Sequence, residues 1–224
     1  MLRVPANLRR NWQELSTGIA MFACTATTMM VLPACSVSGT PTATPPAAAE
    51  SLSALRIRQT DDAGRPLPFK TQFPNRWNSN NRGTSYEPCT QVPGAVVQRF
   101  GLDEASVSDV AGSDFQTARG CQWKFSENRH SFLSQFVGNL DRPDRGLTAH
   151  KEAYSTTTWH PDNEIAGRRV IVGSIDPGDC AAYVQSGSAV VVTNVVLIEL
   201  EPQPMAACHA AVDFLRATIG AIPR

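Results

Sequence analysis

Hydrophobic and polar residues alternate in several stretches of the chain, which is the pattern of half-buried β-strands. Residues 121–125 and 131–137 alternate on either side of a polar segment, and together they predict a β-hairpin. Residues 168–175 predict a further strand, and residues 180–185 with 189–200 predict a second hairpin around a Ser-Gly turn. The second arm of that hairpin is rich in valine, so we expect it to be the most buried element.

Helical periodicity is clearest near the C-terminal end, where apolar residues recur at steps of three and four. Pro204 is expected to begin this helix, and Gly220 is expected to end it. A shorter helix is predicted from Thr90, as its N-cap, to about residue 100, and another over residues 147–156. The apolar stripe of the C-terminal helix consists of Met205, Cys208, Val212, Leu215 and Ile219.

These elements follow one another as helix, two strands, helix, three strands and helix. Strands joined by short hairpins pair antiparallel, which separates this pattern from a doubly wound α/β fold. We therefore predict an α+β fold, with a mainly antiparallel sheet of about five strands packed by two to three helices. Residues 107–118 are mostly polar and are interpreted as a loop or an edge strand.

The N-terminal 34 residues have the pattern of an export signal. The first ten residues carry three arginines and no acidic residue, and residues 18–34 contain no charged side chain. The segment Leu32-Pro33-Ala34-Cys35 resembles the lipobox of lipoproteins processed by signal peptidase II, although Pro33 departs from the usual residue type. Cys35 is therefore predicted to carry the lipid. An ordinary secretory signal and an uncleaved anchor helix are the alternatives.

A lipid on Cys35 would hold the protein at the cell membrane, on its extracytoplasmic side. A diacylglyceryl group brings at least two acyl chains, such as palmitate, and two chains give stable anchorage where one alone holds only marginally. The membrane, reached through this lipid anchor, is thus the first expected partner. The exported chain would also lie in an oxidising compartment, in which disulfides persist.

Composition divides the rest of the chain into three parts. Residues 35–50 are rich in Ser, Thr, Pro and Ala, with no large hydrophobic residue apart from Val37, and predict a flexible tether. Residues 51–85 contain three prolines and irregularly spaced apolar residues, and are interpreted as an extended arm that packs on the domain. Within this arm, residues 55–58 alternate like a short strand. Residues 86–224 form the α+β domain.

The charge balance argues against one class of partner. Lysine and arginine together number 20, as do aspartate and glutamate, so the formal net charge is zero. No basic run stands out along the chain. Nucleic acid is therefore not expected as a partner, because its phosphate backbone is bound through clustered positive charge.

Four cysteines remain in the domain once Cys35 is assigned to lipid, and an even number in an exported domain predicts two disulfides. Three pairings are possible for Cys89, Cys121, Cys180 and Cys208. We favour Cys89–Cys121 and Cys180–Cys208, because each pair then encloses a segment of similar, short length. A zinc site is the competing interpretation, but no C-x₂-C pair or Cys/His cluster with ligand spacing supports it.

Known catalytic motifs are missing from the sequence. Three Gly-Ser pairs occur, at residues 112–113, 173–174 and 187–188, and each lacks the second glycine of a G-x-S-x-G elbow. The sequence also lacks H-E-x-x-H, a P-loop and G-x-G-x-x-G. No catalytic residue, cofactor or bound metal is therefore predicted.

Three weaker patterns have both a functional and a structural interpretation. Residues 160–164 bring together three possible metal ligands, but a solvated loop is favoured. Residues 142–145 contain two arginines and an aspartate, and an exposed turn is favoured over a phosphate clamp. Trp77 and Asn78 lie in a polar loop that could line a ligand cleft, but Trp77 as a packing anchor for the arm is favoured.

The segment RWNSNNRGTSYEPC at residues 76–89, CQWKF at residues 121–125, the strand pair from Cys180 and the late helix with Cys208 resemble one family. It comprises actinobacterial cell-envelope lipoproteins of the mycobacterial Lpp/Lpr type that carry the domain of unknown function 3558. The resemblance runs from about Asp61 to the C-terminus. It implies a lipobox, a Ser/Thr/Pro tether and one α+β domain, and no established catalytic residues. A PsbP- or Mog1-like sandwich is a fold analogy only.

These observations lead to a functional hypothesis. The protein is expected to be an exported, membrane-anchored lipoprotein that acts as a non-catalytic binding or interaction module. Its ligand is expected to be a small apolar molecule, a glycan or an envelope protein. The alternative is an exported hydrolase with a non-standard active site, for which a histidine, an acid and a hydroxyl must meet in a polar cleft. A purely structural role is the third hypothesis.

Overall fold

The computed structural model describes residues 57–198, 203 and 205–224, which all fall within one compact unit, Glu50–Arg224. The predicted signal, Cys35, the tether and the beginning of the arm lie outside the described residues, as does Pro204. Among the residues that are described, no helix has the length and apolar character needed to cross a membrane.

The centre of the fold is an antiparallel sheet of eight strands, and the mainly antiparallel α+β prediction is confirmed. The number of strands is larger than the predicted five. The order across the sheet is β1-β2-β3-β8-β7-β6-β4, and β5 also pairs with β6. The strands are β1 (Leu102–Asp109), β2 (Arg119–Phe125), β3 (Phe132–Asn139), β4 (Thr158–Trp159), β5 (Asn163–Ile165), β6 (Arg168–Asp176), β7 (Asp179–Ser186) and β8 (Ala189–Val196).

The additional strands were missed for physical reasons. Strands β4 and β5 have two and three residues, which is too short for an alternating pattern to emerge. Strand β1 begins at Leu102, earlier than the polar segment in which an edge strand was considered, and it is mostly solvent-accessible. Residues 57–58 form no strand, and the arm instead pairs with itself through one bridge between Thr60 and Pro66.

The two predicted hairpins are present as β2–β3 and β7–β8. Ser186 pairs with Ala189, and the two-residue turn between them has Gly187 at a φ of +58°. Short turns of this kind need positive φ, which glycine adopts without strain. Strand β8 lies between β3 and β7 and has six buried residues out of eight, in agreement with the expectation for the valine-rich segment.

In the part of the chain that the structure describes, four helices accompany the sheet, more than the predicted two to three. Helix α4 buries Cys208 and Leu215, as its stripe predicts, whereas Met205 remains exposed. The buried face of α4 is completed by Ala207, Ala211 and Phe214. The helices are α1 (Pro88–Gln91), α2 (Gly94–Arg99), α3 (Gly146–Ala153) and α4 (Ala206–Thr218), which continues into a short 3₁₀ turn.

The helix predicted from Thr90 to about residue 100 is instead two helices. Val92 and Pro93 are extended, with ψ angles of 119° and 138°, and they separate α1 from α2. Proline pushes the residue before it out of the helical region, which explains the break. The predicted N-cap was wrong as well, because the Glu87 carboxylate accepts from the Cys89 N–H at 3.3 Å and caps α1.

The helices cover the sheet unequally. The larger core lies on the face that packs against α4 and α2, and Tyr86, Trp123 and Phe214 belong to it. A smaller apolar cluster lies on the opposite face beneath α3, where Leu147 packs near Ile171. The segment around α3 is thus the main cover of the second face in the described part of the chain.

Two disulfides link the four cysteines of the described residues, and the prediction of two bridges is confirmed. Cys89–Cys121 joins α1 to β2 with its Cα atoms 5.2 Å apart. Cys180–Cys208 joins β7 to α4 with its Cα atoms 4.9 Å apart. This is the pairing that the cysteine spacing favoured.

Candidate functional site

A cleft lies at the start of α3 and is lined by four arginines. Its volume is about 390 Å³. The arginines come from three places in the chain: the loop before α3, the start of β6 and the C-terminal segment. We call it the arginine cleft, and its lining consists of Pro143, Asp144, Arg145, Gly146, Leu147, Arg168, Arg169, Val184, Gln185 and Arg224.

Arg168 is the best-anchored arginine of the cleft. Its Nη1 donates to the Ile222 carbonyl at 2.7 Å, and its Nη2 donates to the carbonyls of Gln185 and Pro223. Burial lowers the pKa of Arg168, and the nearby positive charge of Arg224 lowers this pKa further. Within the described residues, neither guanidinium forms an ion pair with a carboxylate.

The other two arginines are already engaged with acidic residues at the rim. Arg145 pairs with Glu152 at 2.7 Å, and both side chains are exposed. Arg169 pairs with Asp162 at 2.7 Å and also donates to the Thr148 hydroxyl. The charge of these two arginines is therefore partly balanced, whereas Arg168 and Arg224 have no such ion pair within the described residues. Asp144 is the one acidic residue in the lining of the cleft.

The N-terminus of α3 opens into the same cleft without a capping side chain. Gly146, its first residue, has a φ of +54°, and a Cβ there would collide with the Gln185 amide. Glycine therefore allows the helix to begin at this point. The first N–H groups of a helix carry partial positive charge and favour anions. The N-terminus of α3 and the four arginines together favour the binding of an anion in the cleft.

A second cavity of about 350 Å³ is lined by residues of α3, including Ala149 and His150. The His150 ring also lies near three aromatic rings that are not part of this lining. The His150 ring centroid is 4.6 Å from that of Tyr154, 5.2 Å from that of Tyr183 and 6.4 Å from that of Trp159. Burial raises the pKa of Tyr183 to about 12. Trp159 lies over Gly173, where any Cβ would collide with its ring.

The burial of His150 predicts a pH-dependent stability. Burial lowers the pKa of His150 below its usual value of 6.5, so the unfolded chain binds this proton more tightly than the folded domain. The protonation of His150 therefore has little effect on the free energy of unfolding above pH 6.5 and lowers it as the pH falls below that value. We expect His150→Asn to flatten this part of the curve of unfolding free energy against pH, measured by urea denaturation. The exposed His130, changed to Asn, is the control that should leave the curve as it is.

A buried ion network was missed by the sequence analysis. The Glu87 carboxylate binds Arg76 through both oxygens, at 2.8 and 3.2 Å, and also binds Arg119 at 3.0 Å. Arg76 further pairs with Asp109 at 2.8 Å. Arg76, Glu87 and Arg119 are each at most 1% exposed. Because the group lies in the interior with every buried polar side-chain atom paired, its function is structural.

Each charge in this network is held by its neighbours. Burial by itself would lower the pKa of Arg76. The ion pairs with Glu87 and Asp109 have the larger combined effect, so the pKa of Arg76 is raised. Burial lowers the pKa of Arg119 and raises the pKa of Asp109. Arg119 also donates to the carbonyls of Asn81, Thr84 and Tyr86, and thereby fastens the arm to β2.

Trp77 and Asn78 lie in the arm and line neither of the two cavities described above. The Trp77 ring lies between the guanidinium groups of Arg58 and Arg76, at 4.2 and 4.5 Å from its centroid. The Asn78 amide nitrogen donates to the carbonyls of Asn75 and Gln116, both at 2.9 Å. The contacts described for Trp77 and Asn78 stabilise the loop in which they lie. A ligand-binding role for these two residues stays a prediction.

Within residues 160–164, His160 and Asp162 contact different partners. Asp162 binds Lys151 and Arg169. His160 Nε2 lies 2.8 Å from the Ser174 hydroxyl, which is a histidine–serine pair that the sequence analysis did not foresee. Among the described residues, no carboxylate forms a hydrogen bond with His160. The third member of a catalytic triad is therefore not in place.

Comparison with known protein families identifies the chain. The family described as "Protein of unknown function (DUF3558)" matches residues 23–221, nearly the whole sequence. The chain therefore belongs to this family, as the motifs around Cys89 and Cys121 led us to expect. Searches of curated proteins and of solved structures found no match.

Proposed function

We propose that this protein is an exported, membrane-anchored lipoprotein that acts as a non-catalytic binding module at an actinobacterial cell envelope. The arginine cleft is the binding site, and the ligand enters it with an anionic group. One observation carries this proposal: Arg168 and Arg224 share the cleft with the N-terminus of α3, which has no capping side chain, and neither guanidinium forms an ion pair with a carboxylate in the described part of the chain. Asp144 is the one acidic residue in the lining against four arginines, and a carboxylate or a phosphate would complement the remaining positive charge.

The polarity of the cleft also narrows the ligand class. Arginine, glutamine and aspartate side chains contribute most of its polar lining, while Leu147 and Val184 are the larger apolar residues. Such a lining favours an acidic glycan, or an acidic segment of an envelope protein, over a small apolar ligand.

The first test is anion binding by the cleft. We expect inorganic phosphate and glucuronate to shift the backbone amide NMR signals of Gly146, Leu147 and Gln185, whereas neutral glucose leaves them unchanged. Arg224→Gln should weaken binding by about tenfold or more, because one charge-assisted hydrogen bond contributes about 1.5–3 kcal/mol. Arg99→Gln is the matched control, since Arg99 is an exposed arginine away from the cleft. Equal affinities for the two variants would refute the proposed site.

The second test concerns the anchor. In an actinobacterial host, we expect the intact mass of the purified protein to show loss of residues 1–34 and addition of a diacylglyceryl group at Cys35. Cys35→Ala should move the protein from the membrane fraction to the soluble fraction, because acyl chains supply the membrane affinity. Cys24, the other cysteine of the N-terminal segment, provides the control, and Cys24→Ala should leave the protein in the membrane fraction. Membrane attachment that survives Cys35→Ala would show that something other than this lipid holds the chain.

The alternative function, an exported hydrolase, has one supporting observation in the His160–Ser174 pair. Neither residue lines either of the two cavities described, and no acid orients the imidazole within the described residues. We therefore favour binding over catalysis. Covalent labelling by a fluorophosphonate probe that disappears in Ser174→Ala would reverse this preference.

A further inference from the structure

An imidazole lies beside the Cys180–Cys208 disulfide. One ring nitrogen of His160 and the sulfur atoms of Cys180 and Cys208 all lie within 4.8 Å of one another. In the described part of the chain, this is the one group of three metal-ligating side chains that comes so close together. The two sulfurs are buried and His160 is half-buried, so the imidazole forms the side of the cluster that faces solvent.

The fold holds all three side chains in place. The His160 N–H donates to the Val172 carbonyl at 2.9 Å, which fixes the backbone of His160 against β6. Ser174 pairs with Cys180 across β6 and β7, and its hydroxyl lies 2.8 Å from His160 Nε2. Histidines that bind metals are commonly oriented by a second hydrogen-bonding partner of this kind. Cys208 belongs to the first turn of α4, which packs on β7.

We propose that reduction of the Cys180–Cys208 bridge converts these three side chains into a binding site for a zinc-like divalent cation. Two thiolates, one neutral imidazole and a water molecule make up a tetrahedral set that suits Zn²⁺. The bridge and the metal exclude each other, because the sulfurs of a disulfide carry no charge. This inference concerns a different part of the fold and does not depend on the arginine cleft.

The chemistry balances with a dithiol as reductant. Two electrons and two protons pass from the dithiol to the bridge, so that the S–S bond breaks, two cysteine thiols form and the dithiol becomes a disulfide. Zn²⁺ then displaces the two thiol protons as two zinc–sulfur bonds form, and the imidazole donates a lone pair. No redox change occurs at the metal.

The other disulfide provides a matched control within the same chain. The guanidinium of Arg76 lies 3.3 Å from the Cys89 sulfur, at its Nη2 atom. A fixed positive charge at this distance repels a divalent cation and favours a free thiolate instead. The Cys89–Cys121 pair also lacks a histidine at a comparable distance among the described residues. The one close group of three metal-ligating side chains there is His160, Cys180 and Cys208.

The experiment uses the full chain with Cys24→Ser and Cys35→Ser, so that the four domain cysteines are the only thiols. A phosphine replaces the dithiol as reductant, because dithiols bind metal themselves, and Co²⁺ serves as the spectroscopic probe. We expect one Co²⁺ per reduced chain, with thiolate-to-cobalt charge-transfer absorption, and no such absorption in the oxidised chain. Zn²⁺ should displace the cobalt and abolish the absorption.

Three variants and a folding measurement decide the outcome. The absorption should persist when Cys89 and Cys121 are both changed to serine. It should disappear when Cys180 and Cys208 are both changed to serine. His160→Gln should weaken Co²⁺ binding by tenfold or more. Equal binding by both double variants overturns the proposal. Near-UV circular dichroism reports whether the reduced chain stays folded. If the reduced chain unfolds and Zn²⁺ does not restore the folded signal, the proposal is also overturned, because metal binding at this site should stabilise the fold.

Discussion

Replacing Glu87 with glutamine should lower the free energy of unfolding by about 3–5 kcal/mol, because it leaves two buried guanidinium groups without their shared anion. Glutamine preserves the shape of the side chain, but its amide carries no charge and would direct N–H groups at Arg76 or Arg119. Since small domains are stable by only about 5–15 kcal/mol, this single change removes a large part of the total. Urea denaturation followed by circular dichroism measures the difference.

The matched control for this prediction is Glu152→Gln. Glu152 also pairs with an arginine, Arg145 at 2.7 Å, but both side chains are exposed to solvent. Exposed ion pairs contribute about 0–1 kcal/mol, so this variant should unfold almost as the unmodified protein does. Similar losses for Glu87→Gln and Glu152→Gln would contradict the buried network, because burial is what distinguishes the two carboxylates.

Loss of the Cys180–Cys208 disulfide should destabilise the domain by about 3–4 kcal/mol on the loop-entropy model. The two cysteines are separated by 28 residues, and the bridge holds the buried face of α4 against β7. Changing both residues to alanine avoids a lone thiol that could form other disulfides. Calorimetry or urea denaturation of the double variant gives the loss of stability, and an unchanged unfolding transition would be incompatible with the bridge.

The Cys89–Cys121 bridge offers the comparison for this result. Its cysteines are separated by 32 residues, so the same model predicts a nearly equal loss when both are changed to alanine. A larger loss at Cys180–Cys208 would measure the additional contribution of holding α4 on the sheet. Equal losses of stability for the two double variants would indicate that both bridges stabilise the domain only by restricting the unfolded chain.

The arginine cleft shows why a site can escape sequence analysis. Residues 142–145 stand out in the sequence, yet an isolated Arg-x-Asp-Arg turn is typical of exposed loops. Its functional meaning depends on Arg168 and Arg224, which join it only through the start of β6 and the path of the C-terminal segment. No spacing rule connects three segments that the sequence separates by more than twenty residues each.

The ion network is a similar case with a partial signal. The segment that contains Arg76 and Glu87 carries one of the motifs shared with the family, but charged residues in a polar loop are usually solvated. Arg119 enters the interior because β2 begins there and the arm crosses over it. Burial of a charge depends on what packs over it, and the described part of the arm that covers it, residues 57–85, has almost no regular secondary structure.

The sequence by itself determined the α+β class, the two central hairpins, the buried strand β8, the helix α4 and the number of disulfides. These features follow from side-chain periodicity and cysteine count, which depend on residues that are near in the chain. Only the tertiary structure decided the eight-stranded order, the break between α1 and α2, the ion network and the arginine cleft. Each of these depends on which distant segments meet, because the free energy of a buried charge or an open cleft is set by its neighbours in space.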